Sequence, residues 1–269
     1  MILDRIVAHK LEEVAAARHA TPIEDVRARA AEAPPARDFR GALLAGRAVA
    51  LIAELKRSSP SAGLIREDFD PAAIAACYRE AGAAALSVLT DARYFGGNLA
   101  FLAEARDAAP VPALRKDFIV DEYQIYEARA AGADAVLLIV RVLRDDQLAA
   151  LLSLAGELGM GALVETHSRE EVARAVEVGA PIIGINNRDL DTLATDLRTT
   201  QQLAGEVPAD RVLVSESGIA SRRDVESLAD AGVHAVLVGQ TLMQSADITA
   251  AARQLVGVPR RSRPDRGPA

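Results

Sequence analysis

Eight apolar runs of strand length separated by helix-like stretches, a glycine recurring before alternate strands, and a core of small aliphatic residues predict one fold class. That class is α/β, a (βα)8 or TIM barrel with an N-terminal helical extension. The runs are 48–56 (AVALIAELK), 84–91, 111–117, 134–140, 161–166, 181–187, 211–217 and 234–239. Gly82, Gly132, Gly179 and Gly232 each close a helical pattern just before a strand. Their spacing of about 50 residues is the length of two βα units and favours a closed pseudo-symmetric ring over an open sheet. Half of the 269 residues are hydrophobic but only 3% are aromatic, so Ala, Val, Leu and Ile must fill the core, as they do where helices cover a parallel sheet.

Before the first strand, Ile2, Leu3, Ile6, Val7, Leu11 and Val14 form the apolar stripe of an amphipathic helix over 2–19. Thr21-Pro22 reads as an N-cap with Pro at the first position of a second helix, which Pro34-Pro35 ends. DFRGALLAG adds a further turn or two. Residues 1–258 are therefore expected to form one barrel domain, with 1–46 as an N-terminal helical extension and 259–269, rich in Pro and Arg, as a disordered tail. Within the barrel, Asp70 before Pro71 and Ser168 before REEV carry helix N-cap chemistry.

The net charge of −7 and pI near 5.3 argue against nucleic-acid or anionic-membrane binding. A single cysteine, Cys77, excludes an intrachain disulfide framework, fits a reducing compartment and is expected in the core face of a helix. The first residues lack the apolar centre of a secretory signal, and the apolar runs are too short for a membrane helix, so a cytoplasmic protein is expected. The four histidines are scattered, and neither a dinucleotide fingerprint nor a phosphate-loop motif occurs. The expected chemistry therefore uses no metal and no cofactor.

In such a barrel the site lies at the carboxyl ends of the strands. Reading those ends gives Glu54 and Lys56, Thr90-Asp91, Lys116, Leu137, Glu165, Asn186 with Arg188, Ser217-Gly218, and Gly239-Gln240. Alternation places Ile52, Glu54 and Lys56 on one face. Lysine is scarce: of 31 Lys and Arg residues only Lys10, Lys56 and Lys116 are lysines, and two of these close apolar runs. Arginine stays protonated, whereas a lysine can donate a proton when burial or a second cation lowers its pKa, and a glutamate against apolar walls rises and can accept one. Small residues at the last two ends, with Ser59 and Gly63 in the loop after the first strand, are placed to hold a phosphate. Chance, snorkelling lysines at a core rim give the alternative reading.

The segments AELKRSSPSAGLIREDFDP, LSVLTDARYFGG, LRKDFIVDEYQIYEARAAGADAVLLIV, LVETHSREEV, IGINNRDLDTL, VSESGI and LVGQTLM, in this order, resemble the indole-3-glycerol phosphate synthase family from about residue 2 to 256. The resemblance implies ring closure of 1-(2-carboxyphenylamino)-1-deoxyribulose 5-phosphate with loss of carbon dioxide and water, in tryptophan biosynthesis. It implies that Lys116 is the general acid and that Lys56 meets the substrate carboxylate. It makes Glu165 the acid or base of the dehydration and Glu54 the carboxylate that holds the lysines. Asn186 and Ser217 position the intermediate; Ser59, Gly218, Gly239 and Gln240 contact the phosphate; Phe118, Leu137, Arg188 and Leu190 wall the pocket. It also places the 1–46 extension over the barrel mouth, with Asp38-Phe39 near the substrate. Asn98, Asn187 and Gln240 depart from the residues expected there. The implied partner is a phosphorylated small molecule bound by a monomer.

Two other enzyme classes and one non-catalytic class compete with this reading. They are a barrel aldolase using Lys56 or Lys116 as a Schiff-base nucleophile, a sugar-phosphate isomerase needing a cysteine and aspartate pair, and a non-catalytic phosphate-ligand protein.

Overall fold

The computed structural model describes residues 2–190 and 192–262. Three helices, α1 (Ile2–Ala20), α2 (Ile23–Glu32) and α3 (Phe39–Leu44), precede the strands. The strands are β1 (Ala50–Leu55), β2 (Ala85–Leu89), β3 (Ala113–Lys116), β4 (Ala135–Ile139), β5 (Gly161–Thr166), β6 (Ile182–Asn186), β7 (Val212–Glu216) and β8 (Ala235–Val238). Each pairs in parallel with the next, and β8 returns to β1, so the barrel is closed. The longer helix after each strand is α4 (Pro71–Ala81), α5 (Ala100–Ala108), α6 (Glu122–Ala130), α7 (Asp145–Glu157), α8 (Arg169–Glu177), α9 (Arg198–Leu203), α10 (Arg222–Asp230) and α11 (Ile248–Leu255), with additional four-residue helical turns at Ala92–Phe95 after β2 and Gln240–Met243 after β8.

Local chemistry accounts for these boundaries. Asp70 Oδ1 accepts from Ala73 N at 3.0 Å and Pro71 starts α4, while Ser168 Oγ accepts from Glu171 N at 3.3 Å to start α8. The four repeat glycines sit at φ between 78° and 91°, the left-handed conformation that turns each helix into its strand. The start of α2 differs from expectation: Pro22 is extended (φ −55°, ψ 148°), the helix begins at Ile23, and no side chain caps it. Thr21 instead finishes α1, its N–H donating to Ala17 O at 2.8 Å.

Period-two alternation divides the core. Outward residues such as Leu51, Ala53, Leu86, Val136 and Leu138 pack under the helices. Inward residues Ile52, Ala85, Leu114, Ala135, Leu163, Ile182, Val212 and Ala235 fill the lower barrel. Cys77 is half-buried at the edge of the outer layer, where it was expected to be buried.

The extension does not lie over the mouth throughout. Phe39 and Leu43, each 1% exposed, join the inward cluster, and Phe39 packs on Gly161 and Ala135 at the amino ends of β5 and β4. The amino end of the barrel is lined by small side chains, and an apolar plug is needed to exclude water from it. Asp38-Phe39 therefore closes the end opposite the strand carboxyl ends, contrary to expectation. Arg37 fixes the plug, its N–H donating to Asp134 Oδ1 at 2.8 Å and its guanidinium to the carbonyls of Ala109 (3.1 Å) and Val111 (2.8 Å). Only α1 reaches the rim.

At the chain's end, Val49 N donates to Val258 O and Arg260 N to Arg47 O, each at 2.8 Å, so the first residues of the expected tail are tied to the barrel. The rest of that tail, from 263, lies outside the described residues. Among the described residues no helix is long and apolar enough to cross a membrane. Phe39→Ala should lower unfolding free energy by about 3–5 kcal/mol in urea titrations followed by circular dichroism, while folded molecules keep an intact rim.

Candidate active site

Continuing each inward row by two residues carries the chain from apolar floor to charged rim. Ile52 leads to Glu54 and Lys56, Leu114 to Lys116, Leu163 to Glu165, Ile182 through Gly184 to Asn186, and Val212 through Val214 to Glu216. Lys116 Nζ lies 2.7 Å from Glu165 Oε2 and 3.1 Å from Glu216 Oε2. Lys56 Nζ lies 2.6 Å from Glu54 Oε2. Above them opens a cavity of ≈ 460 Å³.

Glu54, Lys56, Lys116, Phe118, Leu137, Glu165, Asn186, Arg188, Leu190, Ser217, Gly218, Gly239 and Gln240 all line this cavity. Ser59 does not. It sits in a small ribbon of 58–59 against 63–64, buried, its Oγ accepting from Ala62 N at 3.2 Å and 3.4 Å from Ser61 Oγ. Its hydroxyl is spent closing its own loop. The predicted phosphate end combines Ser217 and Gly218, both at positive φ (68° and 79°), with Gly239 and Gln240 at the start of a short helical turn. Gly184 and Gly239 serve the carboxylates: a Cβ at either would overlap Glu216 or Glu54 respectively.

The electrostatics differ from the sequence expectation. Burial opposes charge on Lys116, but Glu165, Glu216 and Glu54 outweigh it and push its pKa upward. Its close neighbours are carboxylates, where a second cation was expected to lower it. Glu165 also moves the other way: burial would raise it, yet Lys116 and then His167 hold it down to about 2. The raised carboxyl is Glu216, pushed up to about 7 by burial and by Glu165, with Lys116 opposing. Two carboxylates sharing one ammonium in a dry site ionise unequally.

Glu216 was missed by reading the seventh strand end as Ser217-Gly218. Its place in the inward row Val212, Val214, Glu216 was the available signal. Asn187, noted only as a departure, is 2% exposed and clamps the end of β7, donating to Ser215 Oγ (3.0 Å), Glu216 O (2.9 Å) and Ser217 O (3.0 Å). His167 does not stand alone: its side chain is 4% exposed between Glu165 and Glu171.

Lys10 was also missed. Buried on α1, it lies 2.9 Å from Asp91 Oδ2 and 3.0 Å from Asp117 Oδ1, just past the ends of β2 and β3. Asp117 Oδ2 accepts from Thr90 Oγ1 (2.6 Å) and Arg115 Nη2 (3.0 Å), so one buried network joins the extension to the residue after Lys116. Among the described residues no group of three or more His, Cys, Asp or Glu side chains is placed to hold a metal ion.

Lysine and glutamate side chains converging on a cavity at the carboxyl ends of barrel strands define an acid–base enzyme of the (βα)8 class. Residues 3–255 match the family model described as indole-3-glycerol phosphate synthase, and the chain belongs to that family. A relative so named from Roseiflexus castenholzii is 53% identical over 264 residues, covering 95% of this chain and 98% of its own. Another from Albidiferax ferrireducens is 52% identical over 250 residues, covering 91% and 94%. Among solved structures, a 3-hexulose-6-phosphate synthase superposes with TM-score 0.60 at 16% identity over 77% of this chain and 98% of that one, a likeness in fold alone.

The Glu216 shift fixes a sign. Between its ordinary value of 4.5 and about 7 the folded state binds a proton that the unfolded chain does not, so stability falls as pH rises through that window. In urea titrations from pH 5 to pH 7.5, Glu216→Gln should lose less stability than the parent as pH rises.

Proposed function

We propose that this chain closes the indole ring of 1-(2-carboxyphenylamino)-1-deoxyribulose 5-phosphate to give indole-3-glycerol phosphate, carbon dioxide and water, with Lys116 as general acid. The observation that carries the reading is the Lys116 ammonium held between Glu165 and Glu216 on the cavity floor. Attack by a ring carbon that bears a carboxylate interrupts aromaticity, so it needs a protonated carbonyl and a clamped geometry. Lys116 gives its proton to the carbonyl oxygen as the carbon–carbon bond forms, and loss of carbon dioxide then returns the electron pair to the ring.

Lys56, oriented by Glu54, receives the substrate carboxylate. Glu165 moves protons in the dehydration that follows, when the new hydroxyl leaves as water. Glu216, which retains a proton up to about pH 7, spares the site a full third negative charge. Asn186 and Ser217 position the intermediate. Phe118, Leu137, Arg188 and Leu190 hold the aromatic and sugar portions, and Gly218, Gly239 and Gln240 hold the phosphate, whose binding supplies energy for distortion at the reacting carbons. Ser59 joins the phosphate contacts on rearrangement of its ribbon. A single domain spanning 1–258, acting as a cytoplasmic monomer on a free small molecule without cofactor, completes the proposal.

A Schiff-base role for Lys116 is disfavoured by the same geometry, because nucleophilic attack needs the neutral amine and three carboxylates favour the ammonium. Borohydride with substrate should therefore trap no adduct. Lys116→Met should abolish product fluorescence, a loss of at least about a hundredfold, while phosphorylated substrate still binds in equilibrium titration. Normal turnover in that variant would falsify the general-acid role. Glu165→Gln should lower kcat more than it raises KM; a change confined to KM makes Glu165 a binding group.

A further inference from the structure

One buried titratable side chain beside the site has no part in the reaction as derived. His167 follows β5 by one residue, does not line the cavity, and is sealed with its side chain 4% exposed. Both ring nitrogens face carboxylates. Nδ1 lies 3.2 Å from Glu171 Oε2, which also accepts from the backbone N–H of His167 at 2.7 Å. Glu171 is fixed in turn by Arg141 Nε, 3.0 Å from its Oε1. On the other side Nε2 stands 3.4 Å from Glu165 Oε1, buried and without a hydrogen-bond partner among the described residues.

A buried nitrogen left unsatisfied is costly, and here it is aimed at the second oxygen of a carboxylate whose first oxygen is already on Lys116. An ionised carboxylate only accepts, so Nδ1 must keep its proton towards Glu171. Glu165 is ionised and its Oε1 likewise only accepts, so a proton on Nε2 is what can close the gap between them. Oε1 is then engaged by the ring while Oε2 stays turned to Lys116. The charged groups involved come from every element around the ring: Glu165 on β5, Glu171 on α8, Arg141 in the turn after β4 and Lys116 on β3 beyond Glu165.

We propose that His167 is a positioning residue that acts through Glu165, donating from Nε2 to its Oε1 so that Oε2 can accept and release protons at the substrate without the carboxylate turning away. The proposal rests on Glu165 having the acid–base role given above.

Two amide replacements separate donation to Glu165 from mere filling of the space. The side-chain N–H of His167→Gln can occupy the place of Nε2 and reach Glu165, while that of His167→Asn can occupy only the place of Nδ1 and reach Glu171. Steady-state kinetics on the full-length enzyme with the carboxyphenylamino sugar phosphate should give kcat near the parent value for His167→Gln. For His167→Asn, kcat should fall about tenfold to a hundredfold with KM within about twofold, the loss of one charge-assisted hydrogen bond. The acid limb of the kcat/KM profile should also lie at higher pH in His167→Asn, because Glu165 has lost one of the neighbours that hold its pKa down.

Glu165→Gln, measured alongside, tells the two ideas apart. If it turns over normally, the role of Glu165 fails and this proposal with it. If it is inactive while His167→Asn keeps the parent kcat, or while both His167 variants lose kcat equally, the proposal alone is overturned.

Discussion

The structure depends on a single ammonium shared across the barrel. Lys116 enters from β3, and its carboxylate partners come from β5 and β7. These strands do not neighbour one another, so their side chains meet only because the sheet closes and inward rows converge. Taking three such charges out of water is expensive, and each group held alone would be destabilising. Together they are tolerated, because the one cation lets Glu165 ionise fully while Glu216 keeps its proton up to neutral pH. The inequality between two like groups creates a donor and an acceptor a few ångströms apart, an arrangement suited to moving protons at neutral pH.

Much of this was legible in the chain. Strand positions followed from apolar runs, helix ends from Asp70, Ser168 and the recurrent glycines, and the rim from the barrel rule applied to the last residue of each run. The sign of the lysine shift was not legible, since it comes from Glu165 and then Glu216 closing on one amine where a second cation was expected, and Glu216 emerges only when period-two alternation is followed to the final residue of β7. Asn187 stayed obscure for a related reason: its side-chain NH2 grips three acceptors at another strand's end, and sequence spacing says nothing about that partner. Ser59 lies off the cavity for a different reason. A short polar loop can fold on itself, and its serine then serves the turn.

The extension shows how one sequence segment divides its labour. Its last helix carries Phe39 and Leu43 into the apolar end of the barrel, while its first helix sets Lys10 among Asp91 and Asp117 at the charged end. Amphipathic periodicity identified the first helix, and DFRGALLAG read only as a further turn or two; neither reading could assign an end of the barrel, because a stripe of Leu, Ile and Val fits any apolar groove. The deciding residues are an isolated aromatic and an isolated lysine.

The buried seat of Lys10 also bears on synthesis. This residue is made before every barrel strand; of its counter-ions only Glu13 is close in sequence, Asp91 and Asp117 follow much later, and the barrel that sequesters them is incomplete until β8 pairs with β1. A helix made before the strands is thus among the last elements to acquire its final surroundings. Docking it records that the neighbouring strand ends are already in place.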